Sequence, residues 1–339
     1  MINYFLYAVN QGADTLSCFK VDISTGTLES LSPFNYSTGD QPNSVDIDTS
    51  GNYLYVVNSG TKNVSMFSIN QGTGALTSNG VTAAESSTPI AGVTSKDTPA
   101  SSYFFMTITT PENVVKTFSI SGGILSPGAS VSAELNPYGV IVEPQNRYLY
   151  CANNSSKSVS GFSGVASGTL TSIGTEEADL YPNQLAVTPL TEGNQYIFVS
   201  EVSNSCIDAY RINQSDGSLT WINDVASATW PVGMAVSTGE GHYLYAADFI
   251  SGVTDGIRGY EITHASGALV EMPGSPFATG GTSSDAVAID PSGAYLYCAN
   301  YSSANLSAFR IKADYTLEFI ATYACGANPR DLAVIKVTQ

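Results

Sequence analysis

Basic residues are what this chain most lacks. Lys and Arg total 12 in 339 residues, against 29 Asp and Glu, for a formal net charge of −17. A surface of that sign repels phosphate backbones and anionic lipid, so nucleic-acid binding is not expected. Charge of either sign is sparse, at 12% of residues, and the polar surface must come mainly from Ser, Thr, Asn and Gly. Histidine occurs only as His242 and His264, which leaves little material for imidazole chemistry. No apolar run approaches the ~20 residues that a helix needs to cross a bilayer, so membrane insertion is not expected. Five cysteines are an odd number, so at least one is unpaired within the chain. Cys18, Cys206 and Cys325 show no metal-ligand spacing. Cys151 and Cys298 stand where equivalent segments carry Val56, Ala246 or Ala8, the mark of a small buried apolar position. No metal and no cofactor is expected. The first residues lack the basic region and apolar segment of a signal peptide; a leader that was trimmed and one that never existed both stay open. The Ser/Thr/Asn-rich, Lys-poor surface points to the periplasm, secretion or the cell surface, with the cytoplasm left open.

Helical periodicity is missing too, and repetition takes its place. Tyr295-Leu296-Tyr297-Cys298-Ala299-Asn300 has counterparts at Phe5 to Asn10, Tyr53 to Asn58, Tyr148 to Asn153, Tyr196 to Glu201 and Tyr243 to Asp248, with a worn copy at Tyr103-Phe104-Phe105. Seven copies at intervals of 45 to 52 residues mark a repeat architecture. Alternation within the copy puts Tyr53 and Tyr55 on one face of a strand and Leu54 and Val56 on the other. A shorter strand precedes each, opening at Pro42, Pro89, Pro137, Pro182, Pro231, Ser284 and Pro329; proline is tolerated at a strand's first residue. A third strand carries Phe19, Phe67, Phe118, Phe162, Tyr210, Tyr260 or Phe309. A Gly-x-Leu turn and a fourth strand complete the unit, as at Gly74 and Leu76; in the last copy Tyr315 takes the glycine's place. Four short antiparallel strands per unit predict an all-β fold, a seven-bladed β-propeller in one domain over 1–339. The blades are expected at 42–82, 89–131, 137–176, 182–226, 231–277 and 284–323, and the seventh from 329–337 with 2–32. One C-terminal strand and three N-terminal strands would thus close the ring and leave no open end blade.

These repeats resemble those of YVTN-type seven-bladed β-propellers, related to the propeller-type, 6-phosphogluconolactonase-like lactonases, over essentially the whole chain. The resemblance implies that first strands line a central channel, and that the fourth-to-first and second-to-third loops open on one face. The fourth-to-first loops then supply Gln41, Asn43, Asn136, Tyr138, Tyr181, Asn183, Trp230, Asp285, Asn328, Arg330 and Asp331. The second-to-third loops begin with Asn10, Asn58, Asn153, Glu201, Asp248 and Asn300. The asparagines read as strand-end residues suited to turns; Glu201 and Asp248 break that pattern. The expected binding surface is Tyr138, Tyr181, Trp230, Glu201, Asp248, Asp285 and Arg330, flat aromatic area with a few charges, and Phe249 and Tyr301 on neighbouring loops.

The lactonases are further expected, by resemblance, to place His, Glu and Arg around the channel, with a His directly after the proline of a first strand. Here those positions hold Asn43, Ile90, Tyr138, Asn183, Val232 and Arg330, and both histidines fall in loops of the opposite face. Glu201 and Arg330 are the best catalytic candidates that remain, as base and anion clamp. The glycine-containing loop from Asp248 to Asp255 offers oxygen atoms for Ca²⁺ but reads as an ordinary loop. The expected function is therefore a non-catalytic binding or scaffold propeller that takes a small molecule, glycan or protein at the channel mouth; the alternative is a lactonase-type hydrolase acting there on a sugar lactone.

Overall fold

The computed structural model of the chain describes residues 2–227, 230–239, 241–249 and 256–338. Its strands form seven antiparallel sheets arranged as the blades of a propeller. In one blade the order from the axis outward is Pro42–Ile47, Tyr53–Asn58, Asn63–Ile69 and Leu76–Val81. Counting from the blade that holds both chain ends, this is blade 2; blades 3 to 7 open at Pro89, Pro137, Pro182, Pro231 and Ser284. Helix is limited, among the described residues, to the 3₁₀ turn Val165–Ser167. The outermost strand of blade 6 is split, with Leu269–Glu271 and Phe277–Ala278 both pairing with Gly256–Ile262.

Blade 1 closes the ring as the split repeat predicts. Pro329–Thr338 is its inner strand and runs antiparallel to Ile2–Asn10, with Phe5 opposite Ile335 and Val9 opposite Asp331. Thr15–Val21 and Leu28–Ser37 complete it.

The two faces of each Tyr-Leu-Tyr strand hold neighbouring blades together. Tyr53, Tyr55 and Val57 pack with Phe104 and Phe118 of blade 3, while Leu54 and Val56 pack with Phe5, Tyr7 and Val9 of blade 1. Each such side chain, fully buried, contributes about 1.5–3 kcal/mol of apolar burial. The tyrosines add a directional latch on the Gly-x-Leu turn of the next blade. The Tyr7 hydroxyl donates to the Gly74 carbonyl at 2.8 Å, and Tyr150 to Gly217 at 2.7 Å. Two features favour glycine at this turn. Gly217 has φ 78°, and a Cβ there would stand 2.4 Å from the Tyr148 ring. Tyr315 replaces that glycine in blade 7 at φ 61°, where its ring stacks on Tyr243 at 3.7 Å and its carbonyl accepts from Tyr245.

One irregularity recurs in all seven blades and positions the site. Pairing between the inner and second strands shifts register just after the inner strand opens, between Pro42 and Ser44, Pro137 and Val140, Ser284 and Ala286, and at the matching places in the other four. Such bulges bend a strand and re-aim its side chains. They fall on the residues that ring the channel mouth.

Candidate active site at the channel mouth

Bulge residues of six blades line a cavity of about 90 Å³, with room for several waters. Asn43, Tyr138, Asn183, Gln184, Asp285, Arg330 and Asp331 supply its polar wall. Gln184, Met234, Val287 and Asp331 also border a larger cavity of about 540 Å³ lined by the inner strands. Asp331 thus stands where the mouth meets the channel.

Arg330 is the centre of the mouth. Its Nη1 donates to Asp285 Oδ2 at 2.9 Å and its Nε to Asn43 Oδ1 at 3.3 Å. Asn43 is held in turn, accepting from Gln11 Nε2 at 3.1 Å and donating to the Ile90 carbonyl at 2.9 Å. The guanidinium lies 5.8 Å from the centre of the Tyr301 ring, and the Tyr301 hydroxyl donates to Gln11 Oε1. Asp285 raises the pKa of Arg330 further, so the group stays charged. Burial pushes the Asp285 carboxyl up to about 6 although Arg330 pulls it down. Asp331 accepts from the backbone N–H groups of Val45 and Leu332, at 2.9 and 2.8 Å; burial outweighs both bonds and pushes its carboxyl up to about 7.

Rim aromatics extend from this centre. Trp230 stacks on Phe249 with ring centres 6.4 Å apart, and Phe249 meets the edge of Tyr301 at 5.7 Å. Trp230 and Tyr181 are exposed and hold left-handed backbone, φ 65° and 64°, at the position before the proline. Gln41, Asn136, Ser283 and Asn328 hold the same conformation in other blades. Bulky residues are uncommon there.

Tyr138, Asp285 and Arg330 therefore meet at the mouth, with Tyr181 and Trp230 outside the cavity wall. Glu201 and Asp248 are corrections: neither lines the cavity. Both are buried within their blades. Asp248 pairs with Arg258 at 3.0 Å and accepts from Ser227; burial pushes it up to about 6. Of the loop weighed as a Ca²⁺ site, residues 250–255 lie outside the described residues. Glu201 has no hydrogen-bond partner on either oxygen, and burial, with repulsion from Asp208 and Asp179, pushes it up to about 9. Two side chains at one strand end thus lose their proposed role because that strand end points into the blade. The asparagines at the same place show why: Asn58 Nδ2 donates to Asn63 Oδ1 and Ser65 Oγ inside the sheet. The histidines stay away from the mouth, packed on each other with ring centres 5.5 Å apart beside Glu192.

The sequence profile of the family described as Lactonase, 7-bladed beta-propeller, matches residues 3–91 and 140–276. The chain belongs to this lactonase family. Its membership overturns the expectation of a non-catalytic scaffold and favours the alternative. No curated protein matches the chain in sequence. Solved structures share the fold over its whole length. A protein from Lactobacillus plantarum superposes with TM-score 0.83 at 14% identity, over 99% of this chain and 100% of the other. A putative 6-phosphogluconolactonase from Bacteroides fragilis gives 0.82 at 18%, covering 98% of each. The periplasmic gluconolactonase of Pseudomonas aeruginosa gives 0.83 at 15%, covering 99% of each. Within this lactonase-family propeller, the charged group at the channel mouth is Arg330, Asp285 and Asp331. Asp331 was visible in the sequence as a loop residue, but nothing there distinguished it from other acids; its raised pKa comes from burial that only the closed ring provides.

Proposed function

We propose that the chain is a lactonase-type hydrolase that opens a sugar lactone at the channel mouth. The observation that supports this reading, beside family membership, is a half-buried Arg330 paired with the buried Asp285, with a second, proton-retaining carboxyl in the same cavity. Lactone opening needs a base for the attacking water and positive charge for the oxygen that becomes an oxyanion. Asp331 is the base. A carboxyl pushed up to about 7 holds and releases a proton near neutral pH, where general-base efficiency is greatest. Arg330 faces the carbonyl oxygen with the N–H groups that Asp285 and Asn43 leave unused, and a cation preorganised by those partners stabilises the developing charge. The water oxygen bonds to the carbonyl carbon and its proton passes to Asp331. As the ring C–O bond breaks, that proton returns to the departing oxygen, which becomes the product hydroxyl. Asn43, Asn183, Gln184 and Tyr138 offer donors and acceptors for the sugar hydroxyls, and Tyr181 and Trp230 offer faces for the ring. The strong net negative charge, and the neutralisation of Arg330 by Asp285, favour an uncharged lactone over a phosphorylated one.

The test is hydrolysis of glucono-δ-lactone and of its 6-phosphate ester, followed by acid release against buffer alone. Turnover of the uncharged lactone is expected. Asp331→Asn is expected to lower kcat by about 10²–10⁴-fold, the usual worth of a general base, and Arg330→Gln by about 10²–10³-fold. Rates no higher than buffer for a panel of sugar lactones would sink the reading, as would an Asp331→Asn variant of full activity. We also read the chain as extracytoplasmic. Its Ser/Thr/Asn-rich surface supports this, and the periplasmic location of the Pseudomonas gluconolactonase is consistent with it. Recovery of the native protein only in the cytoplasmic fraction of its host would count against that placement.

A further inference from the structure

In four blades the last residue of the second strand is an asparagine whose amide donates to two oxygens on the facing third strand. Asn10 reaches Thr15 and Ser17, Asn58 reaches Asn63 and Ser65, Asn153 reaches Ser158 and Ser160, and Asn300 reaches Asn305 and Ser307. Blade 6 has an acid, Asp248, and a cation is supplied with it, the guanidinium of Arg258. Blade 5 has an acid and no such cation. Glu201 stands opposite Cys206, and Asp208 lies two residues along on the same face of that strand. Each position that elsewhere offers a donor or a hydroxyl is here a carboxylate or a thiol.

The loop from blade 4 brings one more acid. Asp179 Oδ2 lies 3.7 Å from Cys206 Sγ, and its N–H donates to Asp208 Oδ2 at 3.2 Å. Among the described residues, Asp179, Cys206 and Asp208 are the one group of three such side chains whose ligand atoms all lie within 4.8 Å of one another. Glu201 is fully buried and Asp208 nearly so, and three of their four carboxylate oxygens have no hydrogen-bond partner. A buried carboxylate without a partner costs several kcal/mol. Among the described residues, no donor or cation reaches these three oxygens.

We propose that blade 5 holds a divalent transition-metal ion of the zinc class, bound by Asp179, Cys206 and Asp208. The thiolate argues against Ca²⁺ and Mg²⁺, which take oxygen alone. Two ligands on a tetrahedral zinc ion sit on the order of 3.5 Å apart, close to the separation of Cys206 Sγ and Asp179 Oδ2. Three anionic ligands leave the same net charge as a Cys₃His zinc site. Outer contacts are in place to orient them: Asn204 Nδ2 donates to Asp179 Oδ2 at 2.7 Å, and the Tyr210 hydroxyl lies 3.2 Å from Asp208 Oδ2. None of the three lines the mouth cavity, so the site is structural. It ties the loop that carries Tyr181 to the body of blade 5, and it stands independently of the lactonase reading.

The test uses the purified full chain, stripped with chelator and titrated with Co²⁺ and then Zn²⁺. The expected result is one equivalent of cobalt per chain with a thiolate-to-cobalt charge-transfer band, displaced by Zn²⁺ and unaffected by excess Ca²⁺ or Mg²⁺. Cys206→Ser should abolish the band, and Cys325→Ser should leave it. Tyr210→Phe, which keeps all three ligands, should weaken binding by about 10–100-fold. A wild-type chain that binds no stoichiometric cobalt overturns the proposal whatever the variants do. So does binding that survives in Cys206→Ser, which would place the ion elsewhere.

Discussion

Asp331 is held against the ordinary preference of a carboxyl, and this gives it two opposite pH dependences. Burial raises its pKa to about 7, so the folded chain keeps a proton that the unfolded chain releases above about pH 4. Its contribution to stability is complete below about pH 4 and is lost as pH rises through about 7. Base catalysis runs the other way and grows as the carboxylate forms. Lactone hydrolysis should therefore rise through about pH 7 while the melting temperature falls over the same range. Asp331→Asn should flatten this pH dependence and lose activity, and should melt lower than wild type at low pH because its NH₂ group stands against the Val45 or Leu332 N–H. Thermal melts and rates measured across one pH series check both halves. Tyr181 presents a related case in the backbone. A non-glycine residue held at positive φ stores on the order of 1–3 kcal/mol. Tyr181→Asn should keep or raise the melting temperature, since Asn accepts that conformation in blades 4 and 1, while KM for the lactone rises and kcat changes little. A destabilised variant with unchanged KM would show that the ring serves packing alone.

The latch between neighbouring blades belongs to the scale of the element. Gly217→Ala puts a methyl against the Tyr148 ring and forces an L-residue to φ 78°, and should cost more than the roughly 1 kcal/mol typical of a point substitution. Gly193→Ala is the control, with positive φ but open space around it, and should cost less in chemical denaturation. This periodic layer was legible in the chain. Alternation in Tyr-Leu-Tyr, proline at the head of the inner strand and glycine in the last turn are each fixed by local sterics, so the blades, their number and the closing strand follow from pattern. The site was legible only in part. Tyr138, Asp285 and Arg330 follow inner-strand openings, and their place could be counted from the repeat. Glu201 and Asp248 could not be placed that way. A strand-end side chain faces loop or blade interior according to a half-turn of the backbone, which the residue type does not encode. The blade 5 cluster was hidden because Asp179 and Cys206 meet across a blade boundary, not along one segment.

At the scale of the whole molecule, the ring depends on Pro329–Thr338 more than on any other strand near a chain end. It carries Arg330 and Asp331, and it joins the first strand of the chain to the channel wall. Removal of residues after Cys325 should expose two sheet edges and the apolar faces beside them. The truncated chain should melt far below wild type or be recovered as aggregate, and activity should vanish with it. A truncated protein that melts within a degree of the full chain would contradict this account of closure. The same pairing sets Ile2 opposite Thr338, so the ring has a seam but no beginning, and the order of strands along the chain is offset by one strand from their order within a blade. A circular permutant joined across the present ends and opened within 82–88 would bring the two into phase. Every blade would then be one continuous stretch of chain, and the seam would be held by side-chain packing alone. Such a ring could breathe open between two intact blades, whereas the natural one can open only by stripping a strand from its sheet.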